Sequence, residues 1–329
     1  MYFYSPYFNR FLLVDLACLF LLHTKEEYSL SIIISQLFNG LSLGSILLLI
    51  ALGLAITFGL MNIINMAHGE FIMIGAYTTY VLQQAFIQYL PESIFGLYFI
   101  LAIPLSFVIA AFIGFLMEKS IVRFLYERPL DSLLATWGVS LILQQVARSI
   151  FGAPNVAVVA PDWLSGALTI GSMTFPYKRL FIIALVGVSI FLLFLYLYKT
   201  PSGRRMKAVT LNRDMASCLG VSTRKVDSTA FALGSGFAGI AGCSLTLIGS
   251  IGPTLGTTYI VDAFMIVILG GVGKLKGTVL AALMLGILST FVELSTSATI
   301  AKVIVFAFII IFLQWKPTGL VNVRVRALD

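Results

Sequence analysis

Residues 46–77 read "ILLLIALGLAITFGLMNIINMAHGEFIMIGAY", an apolar run, a short polar block carrying Asn62, Asn65, His68 and Glu70, and a second apolar run. Neither run alternates apolar with polar residues, so neither reads as a half-buried strand. Uninterrupted apolar stretches of about 20 residues match the ~30 Å hydrocarbon core of a bilayer. The run over 32–60 is long enough to tilt or to contain a break, and 70–90 reads as the next crossing.

The rest of the chain agrees with lipid as its solvent. Of 329 residues, 59% are hydrophobic and 11% charged, and the mean hydropathy is +1.01. Soluble domains are about 45–50% apolar and about 25% charged. Further apolar runs lie at 94–117, 133–151, 179–198, 229–250, 258–272, 277–296 and 299–315. The fold class expected is therefore all-α, a polytopic membrane helix bundle of eight or nine transmembrane helices. A closed barrel would need ten-residue alternating segments, which the sequence lacks. The net charge of +7 comes without a basic stripe interleaved with aromatics, so no nucleic-acid partner is expected. The three cysteines, Cys18, Cys218 and Cys243, are far apart and suggest neither disulfides nor a metal site.

Cation placement sets an orientation. Six basic residues, Arg204, Arg205, Lys207, Arg213, Arg224 and Lys225, crowd into 201–227, within the loop 199–228. With that loop in the cytoplasm and the crossings alternating, 118–132, 273–276 and the C-terminal tail also fall inside. The long loop 152–178, whose one cation is Lys178, then falls outside, as the positive-inside rule requires. The chain divides into an N-terminal extension (1–30), a transmembrane domain (31–317) and a cytoplasmic tail (318–329). The extension contains "FLLVDLACLFLL" at 11–22, too short for a comfortable crossing. It fits a signal-type apolar segment, an interfacial helix or an extra N-terminal stretch.

Several short motifs resemble catalytic ones and fail on context. "GLSLG" at 40–44 matches a nucleophile elbow around Ser42, but no acid lies between Ser42 and His68 and no further His follows. Gly40 and Gly44 read better as a small-residue face for close helix packing. "GGVGKLKG" at 270–277 lacks a phosphate loop's first Gly and its Ser or Thr, because those positions hold Ile268 and Leu275. The H-x-E at His68–Glu70 has no P-C-x-x-C companion. No enzyme activity, metal or cofactor is expected.

Polar residues inside apolar segments are the remaining candidates, since each costs roughly 2.5–3.5 kcal/mol at mid-membrane unless it faces a partner or cavity. Asn62, Asn65, His68, Glu70, Trp137, Gln144, Gln145 and Asp262 form the candidate substrate path. The 62–69 block reads equally as a discontinuous helix lining a path or as a polar cytoplasmic turn. With 270–277 it gives each half a Gly-rich break, as an inverted repeat would. Within 199–228, Ser202 stands where it can cap a helix carrying Arg204, Arg205 and Lys207, with Ala208, Leu211 and Met215 at helical spacing. Gly220 stands where a helix would end. The loop at 152–178 reads either as a contact surface for delivered substrate or as a cover over the bundle.

"NGLSLGSILLLIALGLAITFGLMNIINMAHGEFIMIGAY", "SGRRMKAVTLNRDMASCLGVSTRKVDSTAFALGSGFAGIAG" and "AFMIVILGGVGKLKGTVLAALMLGI" strongly resemble, in order, the branched-chain amino acid permease family of ABC importers. The resemblance runs from about Ile32 to Pro317. Within that family, "YERPLDSLLATWGVSLILQQVARSIFGAPNV" and "PDWLSG" look most like the urea permease. The resemblance implies a bacterial inner-membrane importer subunit with no ATPase site of its own, with urea as cargo. Branched-chain amino acids or short amides are the alternative cargo. It also implies four kinds of partner: a second homologous permease, two cytoplasmic ATPase subunits, an extracytoplasmic substrate-binding protein and membrane lipid. Arg204, Arg205, Lys207, Leu211 and Met215 then become the expected ATPase-coupling residues. An ion-coupled secondary transporter is the reading from another class.

Overall fold

In the computed structural model, residues 30–321 are described, apart from 62, 92–93, 127, 171–172 and 318. The N-terminal extension, Asn62 and the end of the tail lie outside the described residues. In chain order the helices are α1 (Leu30–Met61), α2 (His68–Tyr89), α3 (Leu97–Ser120) and α4 (Pro129–Phe151). A hairpin of β1 (Ala167–Ile170) and β2 (Met173–Pro176) follows. Then come α5 (Tyr177–Lys199), α6 (Pro201–Leu211), α7 (Arg213–Cys218), α8 (Thr223–Leu245), α9 (Leu255–Gly270), α10 (Leu275–Ser295) and α11 (Ala298–Trp315). Six of these, α1, α3, α5, α8, α10 and α11, are long and apolar enough to cross a membrane.

α1 and α8 form the centre and are mostly buried in protein, whereas α5 and α11 turn most of their surface outward. Lipid tails are as apolar as leucine, so helices in a bilayer gain by close backbone approach rather than by hiding apolar surface. Small residues supply that approach here. A Cβ built on Gly75 would lie 2.1 Å from the Gly239 carbonyl oxygen, and one on Gly53 would lie 2.4 Å from that of Gly234. Gly40 and Gly44 face Thr290, Ile287 and Gly286 of α10 in the same manner.

The two halves pack alike. α1 meets α8 at Gly53 and Gly234, and α2 meets α9 at Gly69 and Gly256. α1 lies against α10, and α8 lies against α3 through Gly114, Ser235 and Gly239. The corresponding breaks are 63–67 and 246–254. The pairing expected for 62–69, with 270–277, is corrected. Residues 271–274 are only the turn between α9 and α10, made with Gly271 and Gly273 at φ of 94° and 73°.

The cationic loops gather at one end. Tyr126 and Ser228 meet at Glu118, and Arg213 meets Asp227. Lys207, Gly59, Gly273 and Lys276 line one cavity, and Lys274 donates to the Val321 carbonyl at 2.7 Å. The loop over 152–176 closes the other end. Val156 exchanges two 2.8 Å backbone bonds with Ile251, and Trp163 donates to the Gly96 carbonyl at 3.1 Å.

Candidate functional site

After Met61 the chain does not leave the bundle. Ile63, Asn65, Ala67 and His68 are buried, and His68 Nε2 donates to the Ile50 carbonyl at 3.1 Å. Ile50 lies 11 residues before the end of α1, about 16 Å back at 1.5 Å per residue. The 63–67 segment is therefore re-entrant backbone, tolerated at depth because protein surrounds it. Asn65 Oδ1 takes the Ala67 N–H at 3.0 Å, and Thr136 Oγ1 takes the Met66 N–H at 3.1 Å.

Helix α4 is built inside out. Ser132, Thr136, Ser140, Gln144 and Ala147 recur every three or four residues and are buried, while Leu130, Leu134, Ile142 and Ile150 are exposed. Its polar stripe faces α2, forming a seam centred on Glu70, which is 1% exposed. Ser140 Oγ and Gln144 Nε2 both donate to Glu70 Oε1, at 2.8 and 2.9 Å. Three polar atoms here are buried without a hydrogen-bond partner: Glu70 Oε2, Asn65 Nδ2 and Tyr77 Oη. His68 Nδ1 is likewise unpartnered. Because its Nε2 donates, Nδ1 presents a bare lone pair.

Apolar groups roof the seam on the side away from the cationic end. Tyr77 stacks on Phe151 with centroids 4.2 Å apart, and Met73, Ala76, Ala147 and Ile251 pack around that stack. An apolar cavity of about 360 Å³ opens sideways among α2, α3 and α4, with Met73, Ile74, Leu143 and Ala147 in its wall.

The other expected path residues lie elsewhere. Trp137 and Gln145 are on the exposed face of α4. Asp262 belongs to a separate cavity of about 300 Å³ among α1, α9, α10 and α11. There Lys302 sits 3.3 Å from its carboxylate, an ion pair between α9 and α11. Among the described residues, no cluster of three His, Cys, Asp or Glu could hold a metal ion.

At the cationic end, Thr200 rather than Ser202 caps α6. Its hydroxyl takes the Gly203 N–H at 3.1 Å, and Pro201 opens the first turn. Asn212 caps α7, and Gly220, at φ 79°, ends it. The packed face of this pair is Gly203, Met206, Val209 and Ala216. Leu211, Met215 and Leu219 point outward, 87%, 59% and 77% exposed, alongside Arg204 and Arg205. Ala208 also lies on the exposed side, and Lys207 covers the Tyr198 ring.

A polar clasp that the sequence reading missed ties this segment to the bundle. Arg213 bonds Asp227 in two places, and its guanidinium lies 5.7 Å from the Tyr126 ring centre. Tyr126 and Ser228 both donate to Glu118, which is buried. The Asp227 bond raises the Arg213 pKa, and burial followed by the Glu118 bond pushes the Tyr126 phenol well above its usual range.

A helix bundle with a re-entrant polar seam at mid-depth and a cationic, apolar-tipped surface at one end is a polytopic membrane permease in form. The sequence profile described as "Branched-chain amino acid transport system / permease component" matches residues 36–313. The chain belongs to that family, and it is a transport component, not an enzyme. It is 30% identical over 300 residues to the high-affinity branched-chain amino acid transport system permease protein LivH of Escherichia coli, covering 88% of this chain and 95% of LivH. It is 26% identical to BraD of Pseudomonas aeruginosa, over 88% of this chain and 95% of BraD. With LivM of Escherichia coli it shares 26% identity, over 85% of this chain and 68% of LivM. No solved structure matches significantly. The narrower resemblance to a urea permease finds no support in these relatives, whose names specify branched-chain amino acids.

Proposed function

We propose that the chain is a membrane-spanning permease subunit of an importer for branched-chain amino acids. The observation that carries this reading is the match along nearly the whole length of LivH and BraD. A chain without an ATPase site needs force from elsewhere. The partners are a second homologous permease, two cytoplasmic ATPase subunits and an extracytoplasmic substrate-binding protein, in the inner membrane of a bacterium. The cationic end faces the cytoplasm and carries the C-terminus, in keeping with the positive-inside rule.

Two regions share the work. The α2–α4 seam around Asn65, His68, Glu70 and Gln144 lines the route for cargo. The α6–α7 pair docks in an ATPase groove through Leu211 and Met215, with Arg204, Arg205 and Lys207 around them. Two large apolar side chains held in water at the cationic end are well suited to such a contact.

Uptake of labelled leucine and labelled urea by cells expressing the complete set of subunits, in a host lacking its own leucine importers, tests the cargo. Leucine uptake above background is expected, and urea uptake without leucine uptake would overturn the reading. Leu211→Asp or Met215→Asp should abolish substrate-stimulated ATP hydrolysis while the permease still inserts. Unchanged hydrolysis would refute docking at that surface.

A further inference from the structure

We propose that Glu70 is the ammonium subsite of the translocation route, receiving the α-amino group of an aliphatic amino acid on its free Oε2. This inference rests on the amino acid importer reading above and goes beyond it to the group that recognises the cargo. Glu70 is buried at mid-depth, opposite Ser140 near the middle of α4, where an unpaired carboxylate is costly. Its neighbours satisfy only half of it. Ser140 and Gln144 converge on Oε1, fix the plane of the carboxyl group, and leave Oε2 without a donor.

Neither salt bridge nor hydrogen bond joins Glu70 to a Lys or Arg among the described residues. Asp262, another acid among the helices, has Lys302. A buried acceptor that accepts nothing needs an explanation, and a passing cation supplies one. The walls then say which cation. One turn along from the Glu70–Gln144 contact, Met73 and Ile74 on α2 and Leu143 and Ala147 on α4 line the 360 Å³ cavity. A charged head held beside an aliphatic wall suits a molecule with an ammonium at one end and a branched hydrocarbon at the other. Urea would donate N–H to the carboxylate but has no hydrocarbon to set against the wall.

Glu70→Gln keeps the shape and the Oε1 acceptor but removes the charge. Gln144→Leu keeps the charge and removes a brace. Both are tested in the reconstituted complex by ATP-driven leucine uptake, with the melting temperature of each variant as the second measurement. The subsite predicts that Glu70→Gln loses uptake about thirtyfold or more with its melting temperature near wild type, while Gln144→Leu, which keeps the charge, loses less uptake and more melting temperature. Uptake by Glu70→Gln within twofold of wild type overturns the subsite. So do equal uptake losses in both variants accompanied by equal falls in melting temperature, which would show Glu70 acting only as a strut for α4. If the wild-type complex moves no leucine, the importer reading fails first, and that result is distinct from either of these.

Discussion

Replacing Arg213 by Met should destabilise the protein more than replacing Asp227 by Asn, although both break the same ion pair. The asymmetry follows from burial: the Asp227 side chain is fully buried, whereas that of Arg213 is 40% exposed. Arg213→Met leaves a carboxylate in the protein interior without its cation, a loss of roughly 3–5 kcal/mol in buried pairs. Asp227→Asn leaves a guanidinium that can turn toward water and still cover Tyr126, so the cost falls to about 1–2 kcal/mol. A difference near 2 kcal/mol corresponds to roughly 4–8 °C in melting temperature at ~2–4 °C per kcal/mol. Detergent-solubilised variants followed by thermal unfolding would read it. The double variant Arg213→Met with Asp227→Leu should recover more than half of the single Arg213 loss, because no charge is then stranded. Alkaline pH should not break the pair. Stability tied to a raised cation pKa persists below the unfolded value, so melting at a pH of about 10 should match neutral pH. Equal losses in the two single variants, or a larger loss in Asp227→Asn, would refute the reasoning.

Gly256→Ala should lower the melting temperature and leucine uptake together, since its Cβ would lie 2.5 Å from Gly69 backbone atoms. Gly138→Ala, with open space around the new methyl, should stabilise α4 by up to ~1 kcal/mol in thermal unfolding. Met206→Asp should prevent stable insertion by burying a carboxylate under α6, whereas Leu211→Asp should melt like wild type, because Leu211 is already in water. Cys218 is exposed and Cys243 buried. In a Cys18→Ser background, an impermeant maleimide should label Cys218 in inside-out vesicles and not in intact cells, and Cys243 in neither.

Much of the architecture was legible because lipid permits so few solutions. Every apolar run near 20 residues became a helix, and the loop cations sorted to one end. Sequence was weaker wherever function depends on which face a residue takes. Gln144 and Gln145 are indistinguishable as letters, yet one is bound to Glu70 and the other is exposed. A count along α4 at intervals of four, through Ser132, Thr136, Ser140 and Gln144, would have exposed the inverted stripe. The apolar residues between them hid it. Ser202 was the expected cap, but Pro201 occupies the first helical position, which puts Thr200 at the cap. The clasp of Glu118, Tyr126, Arg213, Asp227 and Ser228 joins residues up to 110 positions apart, and no local pattern announces such a pairing.

The depth of Glu70 is itself a consequence of backbone contact. Gly69 and Gly256 touch where the two re-entrant breaks meet, each near the start of its helix. Neither helix can begin deeper without collision, and α2 cannot withdraw without opening a void against α8, where Gly75 and Gly239 are also in contact. Glu70 follows Gly69 by one residue, so this meeting point fixes its height in the bundle. The helical turn then aims it at α4, where Ser140 and Gln144 wait at the matching level. Its unpartnered oxygen is therefore held in place by glycines on two other helices, α8 and α9, rather than by the hydrogen bonds alone. Those bonds orient the carboxyl group; the glycine contacts decide that a carboxyl group is there at all.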